Sequence, residues 1–152
     1  MIDQTTKAIA AVLDGPAVTA CKTAADSALA ARRLSREDSG VLLVLGSGPV
    51  ARALTEAYLH IRPSIQRVLL WNRSPRKLER ARADVEARGI EVAIVGDLDG
   101  AVARADIIST ATSASVPLIH GRLVRPGTHI DLVGGFRPDM QEADSQSKSR
   151  RS

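Results

Sequence analysis

The chain has 152 residues, one cysteine (Cys21), three aromatic residues (Tyr58, Trp71 and Phe136), a net charge of +4 and a pI near 9.8. That length fits one domain with a sizeable core, which must be built from Ala, Val, Leu and Ile. A lone cysteine excludes an intrachain disulfide and suits a reducing cytoplasm, no apolar run approaches the roughly 20 residues of a membrane helix, and the scattered basic residues lack the aromatic platforms of a nucleic-acid binder.

Residues 1–16 hold an apolar stretch at 8–13, readable as a strand or one short helix, closed by the turn signal Asp14-Gly15-Pro16. From 17 to 34 the chain is alanine-rich. Cys21, Ala24, Ala25, Ala28, Leu29 and Ala31 recur there at helical spacing and predict a helix with a narrow small-residue face. After a polar loop at 35–40 the pattern alternates: strand 41–45, helix 49–61, strand 67–71, helix 75–88, strand 91–95, a short helix at 98–103 and strand 106–110. Helix 75–88 puts Leu78, Ala81 and Val85 on its apolar face and ends before Gly89, a C-terminal cap signal. Residues 117–124 read as a short helix or an irregular connection, and 128–133 as a fifth strand. Five apolar runs with helical spacers predict an α/β fold, a doubly wound parallel sheet. The polar, basic tail at 145–152 has nothing to bury and is expected to be disordered.

The first strand runs into Gly46-Ser47-Gly48-Pro49-Val50-Ala51 and then a helix, the arrangement of a dinucleotide-binding turn. Gly46 permits the tight turn, Gly48 lets the backbone approach a pyrophosphate, and small Ala51 lets the helix pack on the strand. The next apolar run, at 68–71, follows after one helix length, as a βαβ unit requires. NAD sites commonly carry an Asp or Glu about 20 residues past the glycines, at the end of that second strand. Here the strand ends in Trp71-Asn72-Arg73-Ser74-Pro75-Arg76-Lys77, with no carboxylate before Glu79. This predicts NADP(H) over NAD(H). Asn72 and Ser74 donate to phosphate oxygens, Arg73 covers the adenine or pairs with the phosphate, and Lys77 lies one turn into the helix. His60, His120 and His129 are isolated along the chain and suggest no metal site.

Three spaced segments resemble the ornithine cyclodeaminase/mu-crystallin family. Residues 22–31 (KTAADSALAA) are similar to its RTAA-x-SALAA helix, and 105–112 (ADIISTAT) to its ADI-x-x-T-x-T segment. Residues 125–142 (RPGTHIDLVGGFRPDMQE) resemble its PGTHI-x-x-VG-x-x-x-PD-x-x-E segment. The resemblance implies a Rossmann-type nicotinamide-dependent enzyme acting at the α-carbon of an amino or imino acid. By carry-over, Thr110, Ala111, Thr112, Val133 and Gly134 line the nicotinamide end. Lys22 stands where the family's arginine clamps the substrate carboxylate, and it lacks the planar bidentate fork. Cyclodeaminases carry an acid/base Asp where this chain has Phe136, and a phenyl ring cannot shuttle a proton.

The departures favour a reductase of a cyclic imino acid, such as Δ1-pyrroline-2-carboxylate, over an ornithine cyclodeaminase. A non-catalytic NADP(H)-binding protein is the alternative of a different class. The Asn72-Arg73-Ser74 turn also resembles shikimate dehydrogenases, against which the PGTHI segment speaks. The chain is expected to comprise a remnant of a substrate domain (1–16), the NAD(P)-binding domain (17–144) and the tail (145–152). Loss of most of the family's N-terminal domain would leave an apolar surface for homodimerisation or other association.

Overall fold

The computed structural model describes residues 1–145, so the predicted tail lies outside the described residues from 146 onward. The five apolar runs form β1 (Val41–Leu45), β2 (Arg67–Trp71), β3 (Glu91–Ile94), β4 (Ile107–Thr110) and β5 (His129–Leu132). They pair in the order β3-β2-β1-β4-β5, all parallel. The first two strands match their predicted bounds, and the other three lose one residue at one end or both.

Successive side chains of a strand point to opposite faces, so a sheet covered on both sides needs continuous apolar runs. Leu42 and Val44 join Val68, Leu70 and Ile107 in one layer; Leu43 and Leu45 join Leu69 and Ile108 in the other. The first layer is closed by α1 (Gly15–Leu34), α2 (Pro49–Ile61) and α3 (Glu79–Glu86), through Ala24, Ala31, Leu54, Tyr58, Ala81 and Val85. The second is closed by α4 (Leu98–Val102) and by loops carrying Ile119, Val124 and Ala143. Helical cover therefore lies on both faces, the doubly wound arrangement expected. Among the described residues no helix is long and apolar enough to cross a membrane.

Several local expectations need correction. Residues 8–13 form neither strand nor helix; Ile2 and Ile9 make an isolated bridge in an exposed segment. Asp14-Gly15-Pro16 starts a helix instead of turning the chain. The Asp14 Oδ1 accepts from the Ala17 N–H at 2.8 Å, and Pro16 sits in the first turn, where its missing N–H costs nothing. Helix α1 buries Ala20, Ala24, Ser27, Ala28 and Ala31 against its neighbours, whereas Cys21, Ala25 and Leu29 are exposed. The alanine-rich composition hid which stripe would face α2. Helix 75–88 opens with a 3₁₀ turn at Pro75–Leu78 before α3, and its predicted apolar face of Leu78, Ala81 and Val85 is buried. Gly89 caps it at φ 72°. At 117–124 the structure has a 3₁₀ turn, Gly121–Leu123, within an irregular connection.

Two buried polar groups fix this framework. The Arg62 guanidinium closes the end of α1, donating to the carbonyls of Ala31, Arg32 and Ser35 at 2.9–3.0 Å. At the amino edge of the sheet, Asp106 accepts from the N–H groups of Gly40 (2.9 Å) and Val41 (3.0 Å) and pairs with Arg36 and Arg125. Burial pushes its carboxyl up, but these bonds outweigh burial and hold it below the usual carboxylate value.

Between β5 and the helices, Asp131 accepts from the Tyr58 hydroxyl and from Ser109, both at 3.0 Å. Burial, reinforced by that carboxylate, pushes the Tyr58 phenol far above its ordinary value. His129, two residues before Asp131 on β5, has a buried Nε2 without a hydrogen-bond partner among the described residues. Burial pulls its imidazole down; Asp131 opposes and Arg62 adds to the effect. The unfolded histidine takes up a proton below pH ~6.5, and the folded one resists it. This contribution is complete above pH ~6.5 and is lost as pH falls through the lower folded value, at no more than about 1.4 kcal/mol per pH unit. Urea unfolding at pH 7.5 and 5.5 should show that decline in the wild type and a smaller one in His129→Gln.

Candidate nucleotide-binding site

The chain leaves β1 toward α2 on one face of the sheet and leaves β4 toward loops on the other. Two neighbouring strands whose connections diverge open a crevice at their carboxyl ends. A groove of about 330 Å³ lies there. Of the residues predicted to hold a cofactor, it is lined by Ser47, Gly48, Asn72, Arg73, Ser74, Lys77, Ala111 and Thr112. Trp71, Ala114 and Leu118 also line it and were not predicted.

The glycine loop divides into two roles. Gly46 has φ 124°, donates to the Trp71 carbonyl at 2.9 Å, and passes so close to β4 that an added Cβ would lie 2.5 Å from the Ala111 carbonyl oxygen. The protein itself requires that glycine. Gly48, at the N-cap of α2, is exposed, and a Cβ there would meet nothing within 4 Å. Among the described residues nothing fills the space its missing side chain leaves at the helix N-terminus, where free N–H groups and the helix dipole favour an anion.

The β2 end supplies charge. The side chains of Arg73 and Lys77 are exposed on the groove and make no hydrogen bond or ion pair among the described residues. Asn72 donates to the Ser74 carbonyl at 3.0 Å, so part of its amide shapes the turn. The groove thus offers a helix N-terminus, two unpaired cations and the Ser47 and Ser74 hydroxyls, with Trp71 in its wall.

The other predicted residues lie elsewhere or serve other ends. Pro49 lines a second groove, between α2 and α3, and Val50 and Val133 pack partly against the core. Thr110 is fully buried, with its hydroxyl on the Glu142 carboxylate at 2.8 Å. Gly134 is also buried and donates its N–H to Glu142 at 2.7 Å. Its added Cβ would fall 2.1 Å from the Thr112 carbonyl oxygen. Lys22 does not reach the groove; it is exposed on α1 and ion-paired with Asp26 one turn on. Phe136 is 76% exposed. Glu142 was visible in the sequence only as the last letter of the PD-x-x-E spacing. Among the described residues no cluster of His, Cys, Asp or Glu could hold a metal.

Strand order, glycine turn and carboxyl-edge groove define a Rossmann-like α/β domain. The chain belongs to the ornithine cyclodeaminase/mu-crystallin family, whose sequence profile matches residues 1–150. It is 46% identical over 140 residues to the Δ1-pyrroline-2-carboxylate reductase of Paracoccus denitrificans, covering 92% of this chain and 44% of that protein. It is 36% identical over 146 residues to the ketimine reductase mu-crystallin of Mus musculus, covering 96% and 45%. Among solved structures, the Δ1-pyrroline-2-carboxylate reductase of Thermococcus litoralis in complex with NADH and L-proline superposes with a TM-score of 0.90. That match has 32% identity and covers 96% of this chain and 45% of the other. The chain therefore spans less than half the length of these relatives.

Gly46→Ala and Gly134→Ala each force a backbone carbonyl to move, at a cost of about 2 kcal/mol. Urea unfolding should show both variants destabilised by that order, with the m-value unchanged.

Proposed function

We propose that this chain is the cofactor-binding part of an NADPH-dependent reductase of a cyclic imino acid, of the Δ1-pyrroline-2-carboxylate class. The observation that carries the proposal is the groove where Gly48 leaves open space beside the N-terminus of α2, within one lining that includes unpaired Arg73 and Lys77. These residues fit a dinucleotide that carries a 2′-phosphate. Backbone N–H groups at the start of α2 would take the pyrophosphate. Arg73, Lys77 and Ser74 would take the 2′-phosphate, for which β2 offers no competing carboxylate. Ala111 and Thr112 would continue the site toward the nicotinamide. When bound, NADPH supplies a hydride for the C=N carbon, and the chain's residues bind and orient it.

The groove lining contains no carboxylate or imidazole among the described residues, and in this proposal its residues orient the cofactor while the proton that accompanies the hydride comes from outside the groove. Phe136, in the position of the cyclodeaminase acid/base, agrees with that division of labour. A second reading follows from Lys22: with its ammonium on Asp26, the predicted carboxylate anchor does not stand at the groove among the described residues, which favours binding without turnover in the 152-residue chain. Residues 17–144 form the nucleotide-binding unit in this proposal. The free Cys21 thiol suits a cytoplasmic setting. Exposed Val12, Leu13, Val18 and Leu29, on or just before α1, would mediate association with a second copy or another domain.

Two variants separate a nucleotide site from a glycine turn that merely folds. Gly48→Ala should move the melting midpoint by no more than about 4 °C, because alanine in place of an N-cap glycine costs about 1 kcal/mol. Its NADPH affinity, read by calorimetric titration, should fall at least about tenfold. Arg73→Ala should weaken NADPH about tenfold and leave NADH nearly unchanged. Equal NADPH affinity in all three proteins would refute the assignment. For the reaction, NADPH consumption with Δ1-pyrroline-2-carboxylate to give proline is the expected chemistry. Conversion of ornithine to proline and ammonia without net NADPH consumption would replace it with a cyclodeaminase.

A further inference from the structure

The carboxyl edge of the sheet contains one buried ionisable side chain among the described residues, that of Glu142, 3% exposed. Its Oε1 accepts from the N–H and the hydroxyl of Thr112, both at 2.7 Å. Its Oε2 accepts from the Thr110 hydroxyl at 2.8 Å and the Gly134 N–H at 2.7 Å. An ionised carboxylate only accepts, and among the described residues it meets four donors and no cation here. The two backbone donors belong to different segments, the loop after β4 and the end of β5, and each sits on a different oxygen. One carboxylate therefore sets the distance between the two segments.

The backbone around Glu142 ties this clamp to the groove wall. Its carbonyl accepts from the N–H groups of Leu118 and Ile119, both at 2.9 Å, and the neighbouring Gln141 N–H donates to the Ala114 carbonyl at 2.8 Å. Thr112, Ala114 and Leu118 all line the groove. Glu142 does not line it and acts only through these neighbours.

We infer that Glu142 is a positioning residue, whose ionised carboxylate holds the Thr112 loop and Gly134 in register and so shapes the nicotinamide half of the cofactor groove. The inference rests on the dinucleotide reading above, which assigns the adenosine half to Gly48, Arg73 and Lys77. A glutamine cannot replace Glu142: either orientation of its amide turns an NH₂ group toward one backbone N–H.

The test compares two ligands on the whole chain. NADPH spans the groove, and adenosine 2′,5′-bisphosphate occupies only the adenosine half. Glu142→Gln should weaken NADPH about tenfold and change the bisphosphate by less than about twofold. Thr110→Val keeps the side-chain shape and removes one donor. Thr110 is fully buried and cannot touch a ligand; its hydroxyl lies 2.8 Å from the Glu142 carboxylate and 3.4 Å from the Asp131 carbonyl, so its loss loosens the clamp and should weaken NADPH selectively by about threefold. If Glu142→Gln does not fold, Thr110→Val decides alone. Equal loss of both ligands would reduce Glu142 to a fold-keeping role, and loss of neither would remove it from the site; both overturn the inference. A wild-type chain that binds neither ligand would instead overturn the dinucleotide reading, and the inference with it.

Discussion

A buried carboxylate that meets only hydrogen-bond donors is costly to leave unpaired and stabilising when every lone pair is met. Glu142 gathers the last turns of two strands in this way. A parallel sheet ends in N–H and C=O groups that its own ladder cannot satisfy, and loops must take them up. At the carboxyl edge Glu142 does this for Thr112 and Gly134. At the amino edge Asp106 does it for Gly40 and Val41, with Arg36 and Arg125 as counter-charges. The contrast is chemical: the amino-edge carboxylate is neutralised by arginines, whereas the carboxyl-edge one is held by neutral donors. The cations at the carboxyl edge, Arg73 and Lys77, remain unpaired on the groove among the described residues.

The glycines sort along the same line between fold and function. Gly46 and Gly134 have no room for a Cβ because backbone carbonyls of the β4 loop press against them. Gly48 has room on every side. The first two keep the strand ends close together, which creates the crevice; the third keeps its floor open. A sheet that places β1 between β2 and β4 brings all three features to one point, since the β2 end contributes charge and the β4 end contributes the opposite wall. Function in this chain is thus a property of strand order, and the residues that realise it come from segments far apart in sequence.

Periodicity and turn chemistry made most of this architecture legible in advance. The runs at 41–45 and 67–71 were unbroken and bounded by glycine or polar turns, and they became strands with those bounds. Helix α1 was legible as a helix but not in its orientation, because a segment made largely of alanine carries little amphipathic contrast. Asp14-Gly15-Pro16 misled because the same residues favour turns and helix starts, and only the Asp14 side chain on Ala17 decides between them. The groove residues were readable from local motifs. Glu142 and Asp131 were not: apart from Gly134, eight positions before Glu142, the hydrogen-bond partners of their carboxylates lie at least 22 positions away, which no local pattern encodes.

In the reading proposed above, this groove takes a dinucleotide and distinguishes its 2′-phosphate. Trp71, the only tryptophan, lies in the groove wall and is a built-in reporter. The most direct measurement is titration of the purified chain with NADPH and with NADH, exciting Trp71 and following its quenching together with transfer to the reduced nicotinamide. Saturable transfer is expected with both, at least about tenfold tighter for NADPH. No saturable change with either nucleotide, or tighter binding of NADH, would contradict it.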